Sequence, residues 1–116
     1  MVVQYEPTTK TWGSSWSIDP TTGIDTVLSL TTDGTSLYAA LNEGFHPTEA
    51  TGKTALLKFG LPISTASAPT RVAMPRLSTA WDVELDGVGG FLAVGRSATD
   101  AANGRFIRCA LTSCPP

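Results

Sequence analysis

Charged side chains are scarce in this 116-residue sequence. Only 16% of the residues are Asp, Glu, Lys or Arg, against about 25% in an average soluble protein, and the net charge is −2. Eight Lys and Arg side chains are too few for the basic face of a nucleic-acid-binding domain, so we expect no nucleic-acid partner. No apolar run approaches the roughly 18 residues that a membrane-spanning helix requires, so we expect no membrane span.

Strong helix formers are also rare, with four Glu and three Lys in the whole chain. Thr and Ser supply 27 of the 116 residues, and 11 Gly and 8 Pro accompany them. Thr fits a pleated sheet because it is β-branched, whereas Gly and Pro are typical of turns. The composition therefore predicts an all-β chain of antiparallel sheets. The hydroxyl-rich surface favours an extracellular or cell-surface location, although the N-terminal residues lack the features of a signal peptide.

Cysteine occurs twice, at Cys109 and Cys114, and histidine once, at His46. A turn between the two cysteines would let them form a disulfide, which would imply an oxidising compartment and stabilise the fold by about 2 kcal/mol. Two free thiols are the alternative. A zinc site needs four ligands and a redox pair is usually Cys-x-x-Cys, so metal or redox chemistry is the least favoured interpretation. We expect no cofactor.

The clearest local signal is a β-hairpin. Thr26–Leu30 and Leu37–Leu41 read as strands, and Asp33-Gly34 between them is a dipeptide favoured by tight hairpin turns. Alanine is unusual in exposed strands, so Ala39 and Ala40 indicate a strand that is covered on both faces.

A similar plan recurs later in the chain. Leu37–Ala40 matches Phe91–Val94 at an offset of 54, and Leu57–Leu61 matches Ile107–Leu111 at an offset of 50. A period near 50 with three or four strands falls in the range of propeller blades.

These matches divide the chain into three parts within one structural domain. Residues 1–21 form a leading strand and a linker of small residues that carries two tryptophans, and a turn is predicted at residues 19–23. Residues 22–69 form the first repeat and residues 70–116 the second.

The order of strand, Asp-Gly turn, apolar strand and polar loop resembles the blades of bacterial β-propellers over residues 22–114. Arg108–Cys114 is similar to the blade ends of Cys-containing repeats in secreted bacterial proteins. Val2–Trp12 resembles the closing strand of kelch-like blades. Kelch blades also have a Gly-Gly pair before a strand, which Gly89-Gly90 matches in the second repeat and which the first repeat lacks.

This resemblance implies about two blades, whereas a closed propeller needs at least four. A small β-sandwich or barrel is the alternative architecture. Units of a repeat array cannot bury both faces alone, so we expect a non-catalytic binding or assembly module. Its expected partner is another copy of the chain or another protein within a larger extracellular assembly.

Three carboxylates alternate with apolar residues along one predicted strand, at Asp82, Glu84 and Asp86. Side chains at i, i+2 and i+4 share one face of a strand, so these oxygens are candidate Ca²⁺ ligands. A solvated strand face is the favoured interpretation, and a glycosidase pair is disfavoured because neighbours on one strand do not flank a sugar.

Trp12 and Trp16 flank the small residues 13–15 and are candidate binding residues, since exposed Trp stacks on sugar rings. Trp81 is expected in the core. His46, between Glu43 and Glu49, is a candidate proton or metal site, with a plain surface histidine as the alternative.

Two other functions remain open from the sequence. A carbohydrate-binding, lectin-like module would use the exposed tryptophans. A fragment of a propeller hydrolase or lyase would need a nucleophile and a base, and no such motif is evident, so we expect no catalytic residues.

Overall fold

The computed structural model describes residues 1–18 and 22–116. The described chain is all-β without a helix, which confirms the predicted fold class. Its nine strands are β1 (Val2–Glu6), β2 (Thr11–Trp16), β3 (Thr26–Thr32), β4 (Ser36–Glu43), β5 (Lys53–Gly60), β6 (Thr70–Ala73), β7 (Leu77–Leu85), β8 (Gly90–Ser97) and β9 (Gly104–Ala110).

The strands form three antiparallel sheets, each with neighbours in chain order: β1–β2, β3–β6 and β7–β9. None of the sheets closes into a barrel. Over the described residues, no helix exists that has the length and apolar character needed to cross a membrane.

The four-stranded sheet is the middle layer. One of its faces packs on the β1–β2 hairpin through a cluster that includes Val2, Leu41 and Phe59. The opposite face packs on the three-stranded sheet through a larger cluster that includes Tyr38 and Phe91. Strand β4 is consequently buried along almost its whole length, as its alanines predicted.

The two larger sheets repeat one another in pairing register. Leu37 on β4 pairs with Phe59 on β5. The repeat matches Leu37 to Phe91, 54 positions later, and Phe59 to Cys109, 50 positions later. Phe91 on β8 pairs with Cys109 on β9 in the same way. The same holds for six further sets of cross-strand pairs along these strands, so the sequence repeat is also a repeat of local geometry.

A β-bulge is repeated as well. It makes Leu28 the extra residue of β3 and Trp81 the extra residue of β7, 53 positions later. A bulge turns one side chain out of the regular alternation and increases the local twist. Trp81 is therefore 45% exposed, and the expectation that it lies in the core is wrong.

The tryptophan-containing linker is a strand. Residues 11–16 form β2, which makes a hairpin with β1. In this hairpin Val2 pairs with Trp16 and Glu6 pairs with Thr11. Small residues are weak strand formers, so pairing with β1 rather than local propensity defines this element. The turn predicted at residues 19–23 falls partly on residues 19–21, which lie outside the described residues.

Candidate functional site

The face of β7–β9 that points away from the middle sheet is called here the outer face. Two rows of side chains cross it from β7 to β9, as the strand register shows. The first row is Glu84, Leu92 and Arg108; the second row is Asp82, Val94 and Phe106.

The outer face has an apolar centre that solvent reaches. Phe106 is 65% exposed, Val94 is 39% exposed and Leu92 is half-buried. These side chains, with Asp82 and Glu84, line an open depression of about 180 Å³. A contiguous exposed apolar surface rimmed by charge is typical of an interaction site.

Asp82 and Glu84 lie on β7, the edge strand of the outer sheet, and their carboxylates bind hydroxyl groups of β3, the edge strand of the middle sheet. Ser29 Oγ donates to Asp82 Oδ1 over 2.6 Å, and Thr31 Oγ1 donates to Glu84 Oε2 over 3.3 Å. Both pairs are exposed and join β3 to β7 across the two sheets. Each carboxylate keeps a second oxygen outside these bonds.

The third predicted carboxylate, Asp86, does not join the other two. It lies beyond the end of β7, where its Oδ1 accepts the backbone N–H groups of Val88 and Gly90. Arg108 binds its Oδ2 through Nε and Nη2. The backbone donors, followed by Arg108, lower the pKa of Asp86, which marks it as the acceptor that closes the β7–β8 turn.

Among the described residues, no three His, Cys, Asp or Glu side chains come close enough together to hold a metal ion. Two of the three candidate Ca²⁺ ligands, Asp82 and Glu84, thus share a surface. The third, Asp86, accepts backbone hydrogen bonds in the β7–β8 turn. Asp86 follows Leu85, the last residue of β7, so the alternation of the strand does not determine its position.

Trp12 and Trp16 have different surroundings. Trp12 is 68% exposed on β2, and its ring lies 4.9 Å from that of Tyr5 at an interplanar angle of 50°. Trp16 is half-buried and packs against the cluster beneath the β1–β2 hairpin. Among the described residues at this end, Trp12 and Tyr5 therefore present an aromatic surface to solvent.

His46 organises its own loop. Its Nδ1 accepts the backbone N–H of Glu49 at 2.9 Å and lies 3.3 Å from the N–H of Thr48. Arg96 on β8 donates to the carbonyls of His46 and Glu49, at 2.8 and 3.0 Å, and to that of Pro47. These contacts fix the loop onto the outer sheet.

Cys109 and Cys114 form a disulfide, with Cα atoms 4.7 Å apart. Cys109 is buried beside the larger core cluster, and Cys114 packs against the same cluster. A bridge between Ala110 and Ser113 closes the small loop. The disulfide therefore fastens the end of the chain to β9.

Sequence reasoning missed the polar contact between the two large sheets. Asn42 is fully buried on β4, where its Nδ2 donates to the Ala80 carbonyl and its Oδ1 accepts the Ala80 N–H. Thr54 Oγ1 lies 3.0 Å from the carbonyl oxygens of both Met74 and Leu77. The sequence signal for this contact is Asn42 itself, a single amide side chain after the apolar residues of β4.

The opposite end of the stack is also incompletely covered. The β1–β2 hairpin lies over β4 and β5, while Leu28 and Leu30 on β3 are 47% and 55% exposed. A recess of about 560 Å³ opens there, lined by uncharged residues that include Val3 and Val27.

Comparisons with family models, with curated proteins and with solved structures each yield no match to this chain.

Proposed function

We propose that this chain is a non-catalytic, propeller-like assembly module that associates with further copies of itself. The repeated pairing register of β3–β5 and β7–β9 supports two blade-like units stacked face to face. Each unit of such a stack buries its faces against its neighbours, so a terminal unit needs either a polar outer face or a partner.

The observation that carries the proposal is the outer face of β7–β9. The middle sheet packs against other strands on both sides, although Leu28 and Leu30 of β3 stay exposed, whereas the outer sheet packs on one side only and exposes Val94 and Phe106. The low overall charge leaves few groups to keep such a face in solvent. Burial against another chain removes this apolar area from water.

We place this module in an oxidising, extracellular setting. The Cys109–Cys114 disulfide is compatible with this location, since disulfides persist in such compartments.

Light scattering coupled to size separation tests the proposal. The expected result is a mass that rises with protein concentration above the 12.1 kDa of one chain. A mass of one chain at every concentration overturns self-association. Repeating the measurement with reductant shows whether the disulfide contributes.

A carbohydrate-binding function is the second candidate, and the exposed Tyr5–Trp12 pair favours it. Aromatic rings of this kind stack on the apolar faces of sugars. Tryptophan fluorescence across a glycan panel is the test, with Trp12→Ala expected to remove any response and Trp81→Ala to retain it. A response that survives Trp12→Ala eliminates this surface as the sugar site.

A further inference from the structure

We infer that the outer face of β7–β9 in one copy packs on the solvent-facing side of the β1–β2 hairpin in a second copy, so that chains associate head to tail. This inference rests on the proposed self-association and names the two different surfaces that perform it. The direction in which the sheets stack within one chain carries it.

The repeat distinguishes the two faces of each large sheet. The front face of the middle sheet consists of alternating apolar residues on β4 and β5: Leu37, Ala39, Leu57 and Phe59. Its back face consists of the intervening residues: Tyr38, Ala40 and Leu56. At the offsets of 54 and 50, the front face of the outer sheet is formed by Phe91, Ala93, Ile107 and Cys109. Its back face is the outer face, which carries Leu92, Val94 and Phe106.

Within the chain, the back face of the middle sheet packs on the front face of the outer sheet. The larger core cluster contains Tyr38 and Leu56 from that back face. It contains Phe91 and Ile107 from the front face, and all four side chains are buried. The two sheets therefore meet through different faces and not through two equal ones.

The β1–β2 hairpin stacks in the same direction. Val2 lies 54 positions before Leu56, and each of them pairs with an inward-facing residue of the next strand, Trp16 and Val72 respectively. Val2 and Trp16 pack on the front face of the middle sheet, in the cluster that contains Phe59. The hairpin thus contributes a back face, and packing of a back face on a front face occurs twice in one chain.

The front face of the hairpin is open to solvent. Gln4 faces the middle sheet, since its Oε1 accepts the N–H of Ile63, so the next residue, Tyr5, points the opposite way. Trp12 pairs with Tyr5 across the hairpin, and the two rings form an aromatic pair. Tyr5 is 45% exposed and Trp12 is 68% exposed. The described part of the chain therefore presents one front face and one back face to solvent.

A second copy of this chain fits both of these surfaces. Its hairpin offers the outer face a front face, which is the cover that the back face of the middle sheet has within the chain. The carboxylates of Asp82 and Glu84 are already bound to hydroxyl groups, and Arg108 is bound to Asp86. Because the aromatic pair is uncharged, the contact is driven by burial of apolar area and requires no pairing of charges.

Two unlike surfaces make this contact heterologous. Each added copy again presents one front face and one back face, so association continues into a filament unless the rotation between copies closes a ring. The two strands of the hairpin are short, so the contact is small and the association is weak and concentration-dependent.

One carboxylate on each surface provides the test. Phe106→Asp alters the outer face and Trp12→Asp alters the hairpin, and both side chains are exposed, so both chains are expected to fold. In sedimentation equilibrium from about 10 μM to about 1 mM, each variant alone should associate at least about tenfold more weakly than the wild type. The matched control is Ile24→Asp, which is as exposed as Phe106 but precedes β3 and lies on neither surface. It should associate like the wild type.

Mixing the two variants distinguishes a head-to-tail contact from a two-fold one. The Phe106→Asp chain keeps its hairpin and the Trp12→Asp chain keeps its outer face, so the mixture should form a pair of twice 12.1 kDa that grows no further. Trp12→Thr removes the ring and keeps a β-branched residue in the strand. It is the second hairpin variant and should pair with the Phe106→Asp chain in the same way.

A pair that forms on mixing and stops at two chains supports the inference. Association of either variant with itself as strongly as the wild type overturns it, since one intact surface would then suffice. A mixture that stays as single chains with both hairpin variants also overturns it, whereas self-association of the wild type stands. A wild type that stays a single chain at every concentration overturns the proposed function as well.

Discussion

The side-chain amide of Asn42 on β4 makes two hydrogen bonds to the backbone of Ala80 on β7, one as donor and one as acceptor, like the backbone of a paired strand. Its Nδ2 donates to the Ala80 carbonyl at 3.1 Å, and its Oδ1 accepts the Ala80 N–H at 2.6 Å. Both residues are fully buried. This contact fixes the relative position of the two large sheets, because apolar packing alone has no direction.

Replacing Asn42 with Ala should lower the free energy of unfolding by about 2–6 kcal/mol. The substitution leaves the buried N–H and C=O of Ala80 without partners, and each unsatisfied group costs about 1–3 kcal/mol. Urea unfolding followed by fluorescence measures the change. Asn103→Ala, in an exposed turn, is the control and should cost less than about 1 kcal/mol. Equal effects of the two substitutions would show that Asn42 does not join the sheets.

Gly95 on β8 approaches the backbone of β7 too closely for any side chain. A Cβ at this position would lie 1.9 Å from the Thr79 carbonyl oxygen, so Gly95→Ala must force the strands apart. We expect a loss of about 3 kcal/mol or more, or failure to fold. Gly60→Ala on β5 has open space around its Cβ and should be close to neutral. Thermal unfolding compares the two, and a tolerated Gly95→Ala would disprove the close approach.

Acid should weaken the hairpin turns. The backbone N–H groups of Thr35 and Ser36 lower the pKa of Asp33 to about 2, below its unfolded value of about 3.9. A carboxylate whose pKa is lowered on folding stabilises the folded state at pH values above its unfolded pKa. This stabilisation is lost as the pH falls towards about 2. Unfolding measured between pH 5 and pH 2 should therefore show a shallower loss of stability for Asp33→Asn than for the wild type. An unchanged slope would contradict this role.

Reduction of the Cys109–Cys114 disulfide should destabilise the fold by about 2 kcal/mol, the entropy of closing so short a loop. The measurement is chemical unfolding with and without reductant. A variant with both cysteines replaced by Ala is the control, since reductant should leave its midpoint unchanged. Equal midpoints for the oxidised and reduced wild type would refute the contribution.

Local signals in the sequence predicted most of the fold. The Asp33-Gly34 turn, the alanines of β4 and the offsets of 54 and 50 follow from residue-level preferences for turns, buried strands and matching repeats. Strand β2 escaped prediction because Gly13, Ser14 and Ser15 have little strand propensity and are held by β1. Trp81 was misplaced because one bulged residue reverses the alternation on which a burial prediction depends.

The candidate site could be predicted only in part. The carboxylates of Asp82 and Glu84 share a surface, as strand alternation requires, but their hydroxyl partners come from residues 53 positions away. Such contacts depend on how sheets stack, which local sequence does not encode. The outer face combines residues of β7, β8 and β9 that are distant in sequence, so it follows from the strand pairing and not from a local pattern.

Small-angle X-ray scattering over a concentration series tests the central claim, self-association of the unmodified chain, most directly. At low concentration the scattering should match one chain of 12.1 kDa, whose Cα radius of gyration is 14.4 Å. As concentration rises, the account predicts that the mass from forward scattering reaches twice that value or more, with an increase in radius. A mass of one chain and a constant radius throughout would contradict it.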